Sequence, residues 1–155
     1  MSLNLDLQIA LDWPDLPNHD AFQQWAEAAL ATGDQLRELT IRVVDEAEMT
    51  LLNHRYRHKS GPTNVLSFPF DAPLPQLDTG LLGDVVLCAP VVEREAALAH
   101  KSVAAHWAHL VVHGVLHLQG HDHQDADSAA VMEQIETRIL MALGYPDPYT
   151  EFTAR

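Results

Sequence analysis

The stretch that decides the fold of this chain reads His109-Leu-Val-Val-His113-Gly-Val-Leu-His117-Leu-Gln-Gly120-His-Asp-His123. Its apolar run predicts a helix, and the four-residue spacing of His113 and His117 places both imidazoles on one face, one turn apart. Gly120 lets the backbone leave the helix, because glycine adopts positive φ at no steric cost. The chain can then turn back and bring His123 towards the first two histidines.

Three neutral imidazoles that converge on one point suit a divalent metal of the zinc type. We predict one ion held by His113, His117 and His123, with other divalent metals as alternatives to zinc. Three protein ligands leave a fourth position for water, which is typical of catalytic rather than structural sites. His121 is an alternative third ligand, and the distance from Gly120 favours His123.

The same histidine spacing occurs in the metzincin peptidases, with one difference. Those enzymes carry a general-base glutamate directly after the first histidine, and Gly114 occupies that position here. A peptidase without this base would lose a large factor in rate. The metal prediction stands, and the peptidase hypothesis is weakened.

The composition is that of a single globular domain with an acidic surface. The chain has 155 residues, a formal net charge of −13 and one cysteine, Cys88. That length suits one core and is too short for two ordinary domains. No internal disulfide is possible, and we find neither a secretory signal nor an apolar run long enough for a bilayer, so we expect a cytoplasmic protein without membrane association. The net charge argues against coating nucleic acid by bulk electrostatics.

One segment departs from this acidic background. No acidic residue lies between Glu48 and Asp71, whereas Arg55, Arg57 and Lys59 are basic. A local basic surface on an acidic body could hold a few phosphates at one place. A solvated helix end explains the same residues, because cations are favourable near a helix C-terminus. Composition alone leaves both interpretations open.

Hydrophobic periodicity predicts four strands interleaved with helices, which indicates one mixed sheet with helices packed on it. Proline-rich residues 69–80 are predicted to form a loop, and residues 146–155 a frayed tail. The predicted strands cover 3–11, 36–44, 64–68 and 82–88. The first predicted helix is capped at 18 or 20 and stops at Gly33, and the next three cover about 45–56, 90–100 and 102–118. A last helix starts at 125, 127 or 128, ends at Gly144 and carries Val131, Ile135, Ile139 and Leu143 on one stripe.

Three blocks of the sequence resemble the YbeY family of metal-dependent endoribonucleases and rRNA maturation factors. They are residues 113–123, residues 53–59 with 62–69, and residues 83–88. The blocks lie in the family's order and together cover about residues 35–145. The resemblance implies a single α+β domain over residues 1–155, with a mixed four-stranded sheet, about five or six helices and a metal site at a cleft.

The resemblance also implies a function. It implies a zinc-dependent, single-strand-specific endoribonuclease acting in ribosomal RNA maturation, at the 3′ end of the small-subunit rRNA, and in ribosome quality control. The expected partners are single-stranded or ribosomal RNA and the small ribosomal subunit or its proteins. Two alternatives remain: a metallopeptidase-like zinc hydrolase, and a ribosome-assembly factor whose metal is structural.

Site residues follow from the second block. Arg57 matches the family's functional arginine in the context Tyr-Arg-x-Lys, and we expect it to stabilise the charge that develops on the phosphate during cleavage. Arg55 and Lys59 are expected to contact the RNA backbone, which adds affinity without base specificity. Further candidates are Ser67 and Asp84 for lining the cleft, His106 and His109 for packing or for orienting metal ligands, and Asp122 for orienting a ligand or accepting a proton.

Overall fold

A mixed four-stranded sheet forms the centre of the protein. The computed structural model describes residues 3–30, 35–70, 80–121 and 125–149. The strands are β1 (Leu3–Ile9), β2 (Arg37–Val44), β3 (Val65–Pro69) and β4 (Leu81–Cys88), in the order β1-β2-β4-β3. β1, β2 and β4 are parallel, and β3 pairs antiparallel with β4 at one edge. The predicted mixed sheet is confirmed.

Five helices accompany the sheet in the part of the chain that the structure describes, which confirms the predicted α+β class. They are α1 (His19–Ala28), α2 (Glu46–Arg57), α3 (Ala89–Leu98), α4 (Val103–Leu118) and α5 (Ala126–Ala142). Four of them start at a side-chain cap that accepts a hydrogen bond from a backbone amide of the first turn. The caps are Asn18, Asp45, Ser102 and Asp125, and α3 starts instead with a proline in its first turn. None of the helices in these ranges is long and apolar enough to cross a bilayer.

The two faces of the sheet have different partners. Strand register puts Leu7, Ile41, Val85 and Ser67 in one cross-strand row, and α4 packs against that face. The opposite face carries a smaller cluster, covered in part by α2 through Met49. Because side chains alternate along a strand, each face has its own core. α4 and α2 therefore lie on opposite sides of the sheet.

α4 lies unusually close to the sheet at Gly114. A Cβ atom there would be 2.7 Å from Cγ1 of Val85 and 3.2 Å from Oγ of Ser67. The hydroxyl of Ser67 donates a hydrogen bond of 3.2 Å to the carbonyl oxygen of Gly114. The absence of a side chain at position 114 thus sets the distance between helix and sheet.

The segment after α5 folds back onto the body, although the sequence predicts a frayed tail from residue 146. Nζ of Lys101 donates to the carbonyl oxygen of Pro148 over 2.9 Å. The carboxylate of Asp147 accepts from the hydroxyl of Thr137 and from the amide of Tyr149. These bonds hold residues 147–149, while residues 150–155 of the predicted tail, like the predicted loop at 71–79, lie outside the described residues.

We predict that Gly114→Ala destabilises the protein by about 1–3 kcal/mol through overpacking. This result would oppose helix propensity, which favours alanine over glycine by about 1 kcal/mol. Urea unfolding of the metal-free protein measures the change. In a Val85→Ala background the 2.7 Å contact is removed and the 3.2 Å contact with Ser67 remains, so the same substitution should cost clearly less. Equal destabilisation in both backgrounds would contradict the close contact.

Candidate metal centre

Four histidines form a row along one side of α4. His106, His109, His113 and His117 follow one another at intervals of three, four and four residues, so that each lies one helical turn from the next. The ring centroids of consecutive members are 6.3, 6.4 and 4.6 Å apart. We call these residues the imidazole row. The predicted ligands His113 and His117 form its closest pair.

A buried carboxylate from α5 joins two members of the row. Glu136 has 0% of its surface exposed, and its oxygens lie 3.1 Å from Nε2 of His109 and 2.5 Å from Nδ1 of His113. The hydroxyl of Tyr149 donates to the same carboxylate. Burial alone raises the pKa of Glu136, but the hydrogen bonds from His109, His113 and Tyr149 outweigh it and bring the pKa to about 2. The carboxylate is therefore ionised at neutral pH.

This contact orients the ring of His113. An ionised carboxylate only accepts hydrogen bonds, so the proton in the short contact belongs to Nδ1 of His113. In a neutral imidazole the other nitrogen, Nε2, then carries the lone pair that a metal would use. Metal-ligating histidines in proteins are commonly held in this way by a carboxylate on the second ring nitrogen.

A second carboxylate holds the first member of the row. Oε1 of Glu95 lies 2.9 Å from Nε2 of His106 and accepts from the side-chain amide of Asn64 over 3.0 Å. The hydrogen bond from His106 lowers the pKa of Glu95, against the opposing effect of burial. His106 is buried and fixed by this pair. His106 thus bonds the partly exposed Glu95, and His109 bonds the buried Glu136.

The row ends at the turn that the sequence predicts. Gly120 has φ +97°, and the amide of His121 donates to the carbonyl oxygen of Leu116 to close the helix. Asp122 and the third predicted ligand, His123, lie outside the described residues. Within the described ranges, no three His, Cys, Asp or Glu side chains form a group that could hold a metal. The predicted three-histidine site accordingly remains a prediction.

The two candidates for lining the cleft do not lie on the same side. Ser67 is on the face that packs against α4 and contacts Gly114. Asp84 belongs to the neighbouring cross-strand row with Phe68 and Thr40, on the opposite face, and is exposed. Ser67 therefore borders the imidazole row, and Asp84 does not.

The three predicted cations lie at the end of α2. Arg55, Arg57 and Lys59 are all exposed, and within the described ranges none of them forms an ion pair with a carboxylate. α2 packs against β4 and α3, across the sheet from α4. Its C-cap, His58, has φ 56° and turns the chain towards the edge strand β3. The described contacts bring the histidines together, but they do not join Arg57 to the imidazole row.

Comparison with known proteins identifies the family. The family model described as Endoribonuclease YbeY matches residues 12–144. Proteins named Endoribonuclease YbeY from Pseudomonas putida (strain W619) and Pseudomonas savastanoi pv. phaseolicola are each 56% identical over 149 residues, which is 96% of this chain and 94% and 89% of theirs. This chain belongs to the YbeY family. A Thermotoga maritima protein solved in solution shares the fold, with a TM-score of 0.54 over 95% of this chain and 99% of its own, at 20% identity.

In this YbeY family member, sequence reasoning missed Glu136 and Tyr149. Of the stripe that it predicted on α5, Ile135, Ile139 and Leu143 pack against the core and Val131 is exposed. The buried positions of the helix are Met132, Glu136 and Leu140. The only signal for Glu136 was its position four residues from apolar Met132 and four from Leu140. A charged residue inside such a spacing indicates a paired, buried carboxylate.

We predict that Glu136→Ala lowers the free energy of unfolding of the metal-free protein by about 1–3 kcal/mol, because it leaves buried donors on His109 and His113 without an acceptor. Tyr149→Phe removes one donor and leaves the carboxylate with both imidazoles, so its effect should be smaller, about 0.5–1.5 kcal/mol. Urea unfolding in the presence of a chelator measures both. A Glu136→Ala protein as stable as the wild type would mean that the contacts do not tie the two helices.

Proposed function

We propose that this chain is a zinc-dependent, single-strand-specific endoribonuclease that matures ribosomal RNA, at the 3′ end of the small-subunit rRNA, and takes part in ribosome quality control in the cytoplasm. Membership of the endoribonuclease YbeY family supports RNA cleavage by hydrolysis. The observation that carries the metal-dependent part is the orientation of His113 by buried Glu136, beside His117.

The donor set fits zinc. His113 would bind through Nε2, because its Nδ1 is engaged by Glu136, and the ring of His117 lies one turn further along the same side of α4. Imidazole nitrogens are ordinary zinc ligands, with other divalent metals as alternatives. His123 is the third proposed ligand, since the positive φ of Gly120 lets the backbone leave the helix ahead of it. When bound, the metal would supply Lewis-acid chemistry for phosphodiester hydrolysis.

Arg57 is the proposed catalytic side chain outside the metal ligands. Cleavage of a phosphodiester builds negative charge on the non-bridging oxygens, and a planar guanidinium stabilises that charge through two parallel hydrogen bonds. Its exposure at the end of α2 leaves it accessible to a phosphate. Arg55 and Lys59, exposed beside it, would hold neighbouring phosphates of single-stranded or ribosomal RNA. We propose the small ribosomal subunit or its proteins as the larger partner.

The metallopeptidase alternative meets a steric obstacle. Gly114 occupies the position of the peptidase glutamate, and it faces the sheet with no space for a side chain beside Val85 and Ser67. A general base would have to come from elsewhere in the chain. The second alternative is a ribosome-assembly factor in which the metal is structural and cleavage is incidental, so RNA binding would be its main property.

Incubation of the pure protein with labelled single-stranded RNA, and separately with casein, distinguishes the three functions. The proposed function requires RNA cleavage that a chelator abolishes and that added zinc restores. Cleavage of casein but not RNA would establish the peptidase. RNA binding without cleavage, with or without zinc, would overturn the nuclease and favour the assembly factor.

For the metal, we predict that replacing His113, His117 and His123 together by alanine abolishes stoichiometric zinc binding, because all three proposed ligands are removed. Glu136→Gln keeps the ligands and weakens their orientation, so it should lower zinc affinity by about tenfold to a hundredfold. Competition with a chromogenic chelator measures both effects. The matched control is His54→Ala, an exposed histidine on α2. Full zinc retention by the triple variant would move the ligands elsewhere, first to His121 or His109.

For Arg57, we predict that Arg57→Ala lowers the single-turnover cleavage rate by about a hundredfold to a thousandfold, as expected for one donor that acts mainly in the transition state. RNA affinity should change little. Arg57→Lys should restore only part of the rate, since an ammonium lacks the planar fork. Arg55→Ala and Lys59→Ala should weaken binding, reduce its salt dependence and leave the cleavage step nearly intact. Cleavage of bound RNA by Arg57→Ala at the wild-type rate would reduce Arg57 to a phosphate anchor.

A further inference from the structure

The basic end of α2 also carries an exposed aromatic ring. Tyr56 lies between Arg55 and Arg57 and has 51% of its surface exposed. Its ring meets that of Phe68 on β3 edge to face, with centroids 5.1 Å apart and planes at 70°. Such a pair is favourable beyond the apolar area that it buries. Phe68 thus holds Tyr56 in place without enclosing it.

A positive charge lies next to this ring, and another follows shortly after it in the chain. The guanidinium carbon of Arg55 lies 5.5 Å from the centre of the Tyr56 ring, within the range of a cation–π contact. Lys59 follows the helix end and is exposed, and the carboxylates in the described ranges form ion pairs with neither cation. An exposed aromatic ring among unpaired cations is the combination with which proteins bind single-stranded nucleic acid. The cations follow the backbone, and the ring stacks on a base.

We propose that Tyr56 is a stacking platform for one unpaired nucleobase of the RNA, and that Arg55 and Lys59 hold the phosphates on either side of that nucleotide. The proposal rests on RNA being the substrate. The occupant must be unpaired, because the faces of a base inside a duplex are already stacked on its neighbours. The stacking would contribute to the preference for single strands that the proposed function includes.

The sheet limits where the RNA can run. Phe68 belongs to the edge strand, and the cross-strand row that starts with it continues through Asp84 and Thr40 to Asp6. The two carboxylates repel phosphates, so the sheet face beyond Phe68 is unfavourable for the RNA backbone. Ser67, which precedes Phe68 in β3, faces α4 on the opposite side of the sheet. An RNA strand that touches both Tyr56 and the imidazole row would therefore pass around the edge of β3.

Equilibrium binding of a short, dye-labelled single-stranded RNA tests the platform, with the full chain in chelator so that the RNA remains intact. Tyr56→Leu removes the aromatic face and should weaken binding by about fivefold to 150-fold, the range for loss of one stacked base. Tyr56→Phe keeps the ring and should bind within about twofold of the wild type. Leu51→Ala is the matched control, an apolar side chain on the same helix with 71% exposure. It should leave affinity unchanged.

A second measurement separates stacking from a merely structural role of Tyr56 beside Phe68. A series of RNAs, each with one abasic nucleotide, is bound to the wild type and to Tyr56→Leu. Removal of the base that stacks on Tyr56 should weaken binding to the wild type by the same factor as the Tyr56→Leu substitution does. Removal of the same base should leave the affinity of Tyr56→Leu unchanged. The measurements on the wild type do not depend on the folding of any variant. Thermal unfolding checks that the variants are folded.

Two results would overturn the platform while RNA cleavage by the wild type still upheld the proposed function. One is wild-type affinity in Tyr56→Leu. The other is weak binding by Tyr56→Leu with no abasic position coupled to residue 56. If the wild type itself neither bound nor cleaved single-stranded RNA, the proposed function would fail and this inference with it.

Discussion

The contact between α4 and the sheet at Gly114 fixes the rest of the site. With a backbone carbonyl hydrogen-bonded to Ser67 and no side chain between helix and sheet, α4 can hold only one rotation about its axis. Because residues on a helix are 100° apart, this rotation turns His113 sideways to the sheet, where Glu136 of α5 binds it, and His117 lies one turn further along the same side of α4. The imidazole row is thus a consequence of packing at one glycine.

The buried carboxylate of Glu136 converts that row into a chemically defined site. A buried charge is unfavourable unless it is fully hydrogen-bonded, and here three donors from α4 and from the segment after α5 satisfy it. The same contacts that stabilise the charge choose the proton position on His113. Fold stability and the orientation of the His113 ring therefore rest on the same few hydrogen bonds.

Much of the architecture could be predicted from sequence because its signals are local. The caps at Asp45 and Ser102 act within three residues, and strand alternation acts within two, so element types and bounds followed closely. The strand order β1-β2-β4-β3 and the burial of Glu136 depend on partners far away in sequence. Periodicity found the side of α5 that packs Ile135, Ile139 and Leu143 against the core but missed Glu136, since it ranks side chains by apolarity and Glu136 is buried through its donors. The sequence also grouped Ser67 with Asp84 as candidates for lining the cleft, because strand register cannot be read from one sequence. In the structure the register places them on opposite faces of the sheet.

The position of Tyr149 has a consequence for synthesis of the chain. Its hydroxyl completes the hydrogen bonds of Glu136, and its ring stands edge-on to that of His109, with centroids 5.2 Å apart. Tyr149 follows the last helix, so a ribosome delivers it after every strand and every helix of the described fold has emerged. The sheet and α4 can form before residue 149 is available, but the donor set around Glu136 cannot be complete without it. A partly synthesised chain that lacks Tyr149 would hold the buried carboxylate with two of its three donors, His109 and His113.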